Sequence, residues 1–134
     1  MKNIVERLSA LLKERKNADP SSSYVASLYA KGNEKIIEKI AEETDELIAE
    51  ITENPEKNKV IHEAADLWFH VMVLLTNNGI DPTEVLKELE SREGLSGIEE
   101  KKRKERINGF WWNKYLAIAD HSSNYCFDLR DQKN

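Results

Sequence analysis

The chain has 134 residues, 40% of them hydrophobic and 34% charged, which fits one globular domain and leaves no room for two. Its formal charge of −5, from 20 Lys and Arg against 25 Asp and Glu, argues against broad attraction to nucleic acid, so an anionic ligand must be met by local cations or a metal. The lone Cys126 cannot form an internal disulfide, no export signal is visible at the start, and the longest apolar run, Val71 to Leu75, is far short of the roughly 20 residues that cross a bilayer; a cytosolic protein with no membrane partner is expected.

Every proline and glycine falls between helical-looking stretches, and no useful strand-like alternation appears. The first segment, about Lys2 to Lys16, sets Ile4, Val5, Leu8, Leu11 and Leu12 on one helical face. A short second segment, Ser23 to Lys31, stops at Gly32. The third, about Asn33 to Glu53, has Asn33 as its expected cap, carries Ile36, Ile37, Ile40, Leu47, Ile48 and Ile51, and ends at Pro55. In the fourth, about Glu56 to Asn78, only Asp66 and His70 interrupt the apolar stretch from Ala64 to Leu75, the pattern of a central and mostly buried helix. Asn78-Gly79 supplies a left-handed stop. Asp81-Pro82-Thr83-Glu84 then reads as a cap, a first-turn proline and a capping-box Glu opening a fifth helix to about Glu93. Ser96-Gly97-Ile98-Glu99 repeats the signature ahead of a charged stretch ending near Arg106. Beyond it, Gly109-Phe110-Trp111-Trp112 and Asn124-Tyr125-Cys126-Phe127 show no sustained period. The expectation is an all-α helical bundle of four to six helices, with a domain over residues 1–106 and a tail over 107–134 whose role the sequence leaves open.

The sharpest chemical feature is a pair of carboxylate clusters on consecutive helices, Glu42-Glu43-x-x-Glu46 and Glu63-x-x-Asp66. At about 100° per residue, Glu43 and Glu46 lie on one flank of the apolar stripe of their helix, while Glu63, Asp66 and His70 line one side of the next. Antiparallel packing of the two helices brings the clusters together. A solvated acidic face is the simpler reading of the third helix alone, but carboxylates on a central helix need compensation. Lys35 and Lys39 are too few for five carboxylates and nearby Glu50, so a hard divalent cation such as Mg²⁺ fits better. His70 is more commonly a satisfied core histidine at such a position, and its spacing differs from the Glu-x-x-His of di-iron bundles. His62 and His121 read as surface residues. Cys126 has no readable catalytic partner, and no Gly-rich phosphate loop is present.

Those carboxylate motifs resemble the signature of the all-α, magnesium-dependent nucleotide pyrophosphohydrolases, the MazG-like superfamily. Ser23-Tyr24-Val25-Ala26-Ser27-Leu28, Lys31-Gly32, Lys39-Ile40-Ala41-Glu42-Glu43, Ala65-Asp66-Leu67-Trp68-Phe69-His70, Glu88-Leu89-Glu90-Ser91-Arg92 and Ser96-Gly97-Ile98-Glu99-Glu100-Lys101 resemble more narrowly the phosphoribosyl-ATP pyrophosphohydrolases of histidine biosynthesis. The resemblance runs from about Ile4 to Arg106; Thr44, Asp45, Trp68 and Phe69 depart from the common pattern without breaking the motif, and the tail has no counterpart.

The resemblance implies hydrolysis of 1-(5-phosphoribosyl)-ATP to 1-(5-phosphoribosyl)-AMP and pyrophosphate by a homodimer. Glu43, Glu46, Glu63 and Asp66 are then the expected ligands of Mg²⁺ and Glu42 the residue orienting the attacking water. Lys31, Lys35, Lys39, Arg15 and Arg92 are candidate phosphate partners, with solubilising surface charge as the alternative for each. Ser23 and Tyr24 either contact substrate or cap the short second helix. Two rival functions remain: a house-cleaning nucleotide pyrophosphohydrolase with the same metal site, and a non-catalytic helical interaction protein whose acidic face binds a basic partner.

Overall fold

The apolar periodicity is realised as helices in the computed structural model, which describes residues 1–94, 98, 99 and 102. Among the described residues up to Arg92, five α-helices follow in order: α1 (Ile4–Glu14), α2 (Tyr24–Lys31), α3 (Asn33–Glu53), α4 (Lys57–Asn77) and α5 (Thr83–Arg92). No strand occurs among the described residues, so the fold is the expected all-α bundle. The chain divides into two units, Met1–Ser91 and Arg92–Asn134. In the second, Gly94 takes a φ of +81° and Ile98, Glu99 and Lys102 are helical. The expected cap at Ser96 and the tail over 107–134 lie outside the described residues.

Local chemistry sets most boundaries. The Asn3 side chain accepts the Glu6 N–H at 2.9 Å to start α1. The first helix ends at Glu14 rather than Lys16, because Arg15–Asn17 tighten into a 3₁₀ turn. Ser23 caps α2, its hydroxyl accepting the Ala26 N–H at 3.2 Å. Gly32 separates α2 from α3 with φ +85° and ψ −176°, a conformation essentially closed to residues with a Cβ.

Asn33, expected as the cap of the third helix, is instead its first residue, with Gly32 in the cap position. The Asn33 side chain serves tertiary structure: its Oδ1 accepts from the Asn77 and Asn78 side-chain amides at 2.7 and 3.0 Å, and its own amide donates to Asn78 Oδ1 at 2.9 Å. This knot fastens the start of α3 to the end of α4, so the two longest helices run antiparallel. At the next junction Gly79, with φ +74°, stops α4 as its sequence predicted. Asp81 Oδ1 accepts both the Thr83 N–H at 2.9 Å and the Thr83 hydroxyl at 2.7 Å, while its other oxygen pairs with Lys13 of α1. The capping box is not completed: among the described residues Glu84 makes no return bond to the Asp81 backbone N–H, and the Asp81 side chain alone caps the turn.

Four helices meet in one core cluster through Leu12 of α1, Leu28 of α2, Ile36 of α3 and Val73 of α4, and α2 also buries Ala26. Each cluster side chain contributes about 1.5–3 kcal/mol by leaving water. Tyr29 packs on this cluster and donates its hydroxyl to the Leu12 carbonyl at 2.9 Å, joining α2 to α1. The expectation of a mostly buried fourth helix is corrected here. Its buried face is His70, Val73 and Thr76, while Ile61, Val71 and Trp68 are exposed, Trp68 at 72%. The helix is central, but a single chain covers only one of its sides.

Candidate metal and substrate site

The antiparallel α3–α4 pair sets Glu43 opposite the turn holding Glu63 and Asp66. One carboxylate oxygen from each of these three residues lies within 4.8 Å of the other two. Glu43 is only 6% exposed, whereas Glu63 and Asp66 are half-buried and reach the surface. Burial pushes the Glu43 carboxyl above its ordinary range, and a hydrogen bond and like charge from Glu46 push it further; His70 and Lys39 oppose the shift. The Glu63 carboxyl is likewise raised, first by desolvation and then by Glu46, Asp66 and Glu43. Two carboxyls that resist ionisation in one small volume mark excess negative charge.

The remaining expected residues are placed as follows. Glu46 lies outside the close trio, on the exposed flank of α3 against Glu43. Glu42 faces outward and bonds Lys39 Nζ at 2.7 Å, which lowers its carboxyl below the usual carboxylate range. Lys39 also reaches Glu43 Oε1 at 3.5 Å, so one cation bridges the rim and the buried acid. Lys35 pairs with Glu38 at 2.8 Å. Lys31 is exposed in the last turn of α2, Arg15 is half-buried in the 3₁₀ turn, and Arg92 belongs to the second unit. Ser23 is committed to its cap. The Tyr24 hydroxyl meets His70 Nε2 at 2.9 Å.

Two features went unseen in the sequence, and a third, the satisfied core histidine expected at position 70, is realised. His62 Nε2 sits 3.2 Å from Asp66, a surface histidine with a partner in the cluster. The i,i+4 spacing of the two carried that signal. A polar cleft lies beside the trio, with Glu46, Glu50, Glu53, Asn54, Lys59 and Glu63 on its walls. Lys59, one helical turn before Glu63, brings a cation to it while pairing with Glu56 at 3.1 Å. Finally, His70 is satisfied at both ring nitrogens, since Nδ1 bonds the Asp66 backbone carbonyl at 2.8 Å. A carbonyl only accepts, so Nδ1 carries a proton, and in the neutral imidazole Nε2 accepts from the Tyr24 hydroxyl. With its lone pair engaged, His70 offers no nitrogen, and the converging donors are all carboxylate oxygens. An all-oxygen set of three acids with solvent on one side suits a hard divalent cation that keeps waters or phosphate oxygens in its other positions.

A family model described as phosphoribosyl-ATP pyrophosphohydrolase matches residues 5–93. The chain belongs to the phosphoribosyl-ATP pyrophosphohydrolase family. It is 50% identical over 99 residues to the phosphoribosyl-ATP pyrophosphatase of Aromatoleum aromaticum, covering 74% of this chain and 91% of that one. The protein of that name from Nitrosomonas eutropha is 46% identical over 98 residues, covering 73% and 83% of the two chains. The one from Chromobacterium violaceum is 48% identical over 101 residues, covering 75% and 89%. The matched family segment contains the whole trio, Glu42, Glu46, the polar cleft and the Tyr24–His70 pair.

Proposed function

We propose that this chain hydrolyses 1-(5-phosphoribosyl)-ATP at its α–β anhydride, giving 1-(5-phosphoribosyl)-AMP and pyrophosphate in histidine biosynthesis, with Mg²⁺ as cofactor. The observation that carries the site assignment is the convergence of Glu43, Glu63 and Asp66 within 4.8 Å, with Lys39 3.5 Å from Glu43. These three carboxylates would hold the ion, and Glu46 would support them from the flank. Bound there, Mg²⁺ supplies neutralisation of the triphosphate and of the charge that develops on the departing pyrophosphate.

The chain's own residues do the rest. Lys39, 3.5 Å from Glu43 and reaching the surface, is placed to take a phosphate oxygen. Lys59 offers a second cation in the polar cleft, where the leaving pyrophosphate has room. Glu42, kept ionised by Lys39, accepts a hydrogen bond from the attacking water and so orients it. Water adds across the α–β anhydride, one P–O bond of the bridge breaks to leave 1-(5-phosphoribosyl)-AMP and pyrophosphate, and the released proton passes to solvent.

The working form is a cytosolic homodimer. This part of the proposal is supported by the exposed Ile37, Ile48 and Ile51 of α3 and by Ile61, Trp68 and Val71 of α4, apolar residues on helices that a single chain only half covers. No described helix is long and apolar enough to cross a membrane. Pyrophosphate release, measured with phosphoribosyl-ATP and with each deoxynucleoside triphosphate at equal Mg²⁺, tests the substrate. Preference for phosphoribosyl-ATP supports the proposal, while faster turnover of deoxynucleotides replaces it with the house-cleaning reading.

A further inference from the structure

Tyr24 and His70 form a contact that the metal chemistry does not use. Tyr24 is the first residue of α2, held by the Ser23 cap, and is 55% exposed although its hydroxyl ends on a buried histidine. His70 is 5% exposed, meets Tyr24 and Phe69 edge-on at 86° to each, and passes its other nitrogen to the carbonyl of Asp66. Its Nδ1 is 3.8 Å from Glu43 Oε1. The imidazole therefore joins three elements at one point: the start of α2, the metal-side turn of α4 and the buried acid of α3. A half-exposed aromatic ring anchored at one end is a preordered flat surface, which costs little entropy to use and suits the π-face of a planar base.

We propose that His70 is a positioning residue that locks the Tyr24 ring at the rim of the carboxylate site, and that this ring is the face on which the base of the nucleotide stacks. The inference rests on the proposed hydrolysis for its substrate, but its geometry is independent of the metal. Tyr24→Phe keeps the ring and removes the lock. His70→Asn removes it from the other side. Tyr24→Leu removes the face itself.

Steady-state kinetics of pyrophosphate release is the first measurement. Loss of one net hydrogen bond predicts a KM raised about fivefold in Tyr24→Phe and in His70→Asn, with kcat within about twofold of the wild type. The double variant should be no worse than either single one, since both act through one bond. Tyr24→Leu should raise KM at least about tenfold. Unchanged KM in Tyr24→Phe, additive losses in the double variant, or a fall in kcat at constant KM overturns the positioning role. Calorimetric titration with phosphoribosyl-ATP, Ca²⁺ replacing Mg²⁺, reads binding without turnover. Wild-type binding weakened by Tyr24→Leu upholds the inference even where no pyrophosphate is released, an outcome in which the hydrolysis reading alone fails. Binding indifferent to Tyr24, or no binding, removes the stacking face whatever the turnover.

Discussion

Replacing Glu43 by Gln removes one negative charge from the buried corner of the trio at nearly constant shape, and the metal-free protein should become more stable. A carboxylate 4.8 Å away repels the Glu43 anion by about 3 kcal/mol at an effective dielectric near 20, and two such neighbours are present. Against this, Lys39 at 3.5 Å attracts it by about 5 kcal/mol on the same scale. Solvent screening shrinks every one of these figures, and the desolvation of a 6% exposed acid adds to the unfavourable side. Lys39 is not stranded by the change, because Glu42 still holds it at 2.7 Å.

The net expectation is about 1–2 kcal/mol of stabilisation without metal, a Tm increase of roughly 5 °C. Its pH dependence has a definite sign. The Glu43 carboxyl is raised in the folded state, so the folded protein binds that proton more tightly than the unfolded chain does. Wild-type stability from this group is full below the ordinary glutamate value near 4.3 and is lost as pH rises through the folded value. The melting advantage of Glu43→Gln should accordingly vanish in acid and grow toward neutrality. Mg²⁺ at about a hundredfold excess over its Kd should stabilise the wild type by about 2.7 kcal/mol and the variant far less. Scanning calorimetry of both proteins from pH 4 to 8, with and without Mg²⁺, reads all of this. A variant less stable than the wild type at neutral pH, with no magnesium effect in either, would refute the reasoning and identify a structural charge network.

Asp81→Ala removes the cap of α5 and the tie to Lys13, and should cost about 1–2 kcal/mol in chemical denaturation. The Asp81 carboxyl is held well below its ordinary range, first by Lys13 and then by Thr83, so its contribution is present above pH 4 and is lost as pH falls through the folded value; a cost that persists undiminished in strong acid contradicts the assignment. Lys39→Ala should lower kcat/KM about 10- to 100-fold through loss of a charge-assisted phosphate contact, with the fold intact by circular dichroism, and unchanged kinetics return Lys39 to a solvated pair with Glu42. Trp68→Asp puts a charge on the exposed face of α4 and should convert a dimer to folded monomers in sedimentation; an unaltered mass places the interface elsewhere.

The helices were legible because their signals are local. Gly32, Pro55 and Asn78-Gly79 stop the chain through backbone sterics, and the 3.6-residue period included Leu12 and Ile36 among the apolar-face positions, while Leu28 and Val73 had no periodic signal of their own. Boundaries moved where a side chain found a distant partner: Asn33 gave up capping because Asn77 and Asn78, more than 40 residues later, compete for its amide. The wheel placed Glu43 and Glu46 on one flank, yet it could not tell which of the two turns toward α4, since that depends on the crossing of the helices. Apolar residues on every side of α4 signalled burial, but periodicity does not say what does the covering, and Trp68 and Ile61 remain open in a single chain. The Tyr24–His70 bond joins residues 46 apart in sequence and has no local signature at all.

The central claim is that Glu43, Glu63 and Asp66 hold a divalent cation on which hydrolysis of phosphoribosyl-ATP depends. Pyrophosphate release from phosphoribosyl-ATP, titrated with Mg²⁺ in the wild type and in Asp66→Asn, tests it most directly. The account predicts no release in chelator, saturable activation of the wild type by Mg²⁺, and loss of at least about a hundredfold in the variant at any Mg²⁺ concentration. Full activity of folded Asp66→Asn, or wild-type release that ignores chelator, would contradict it.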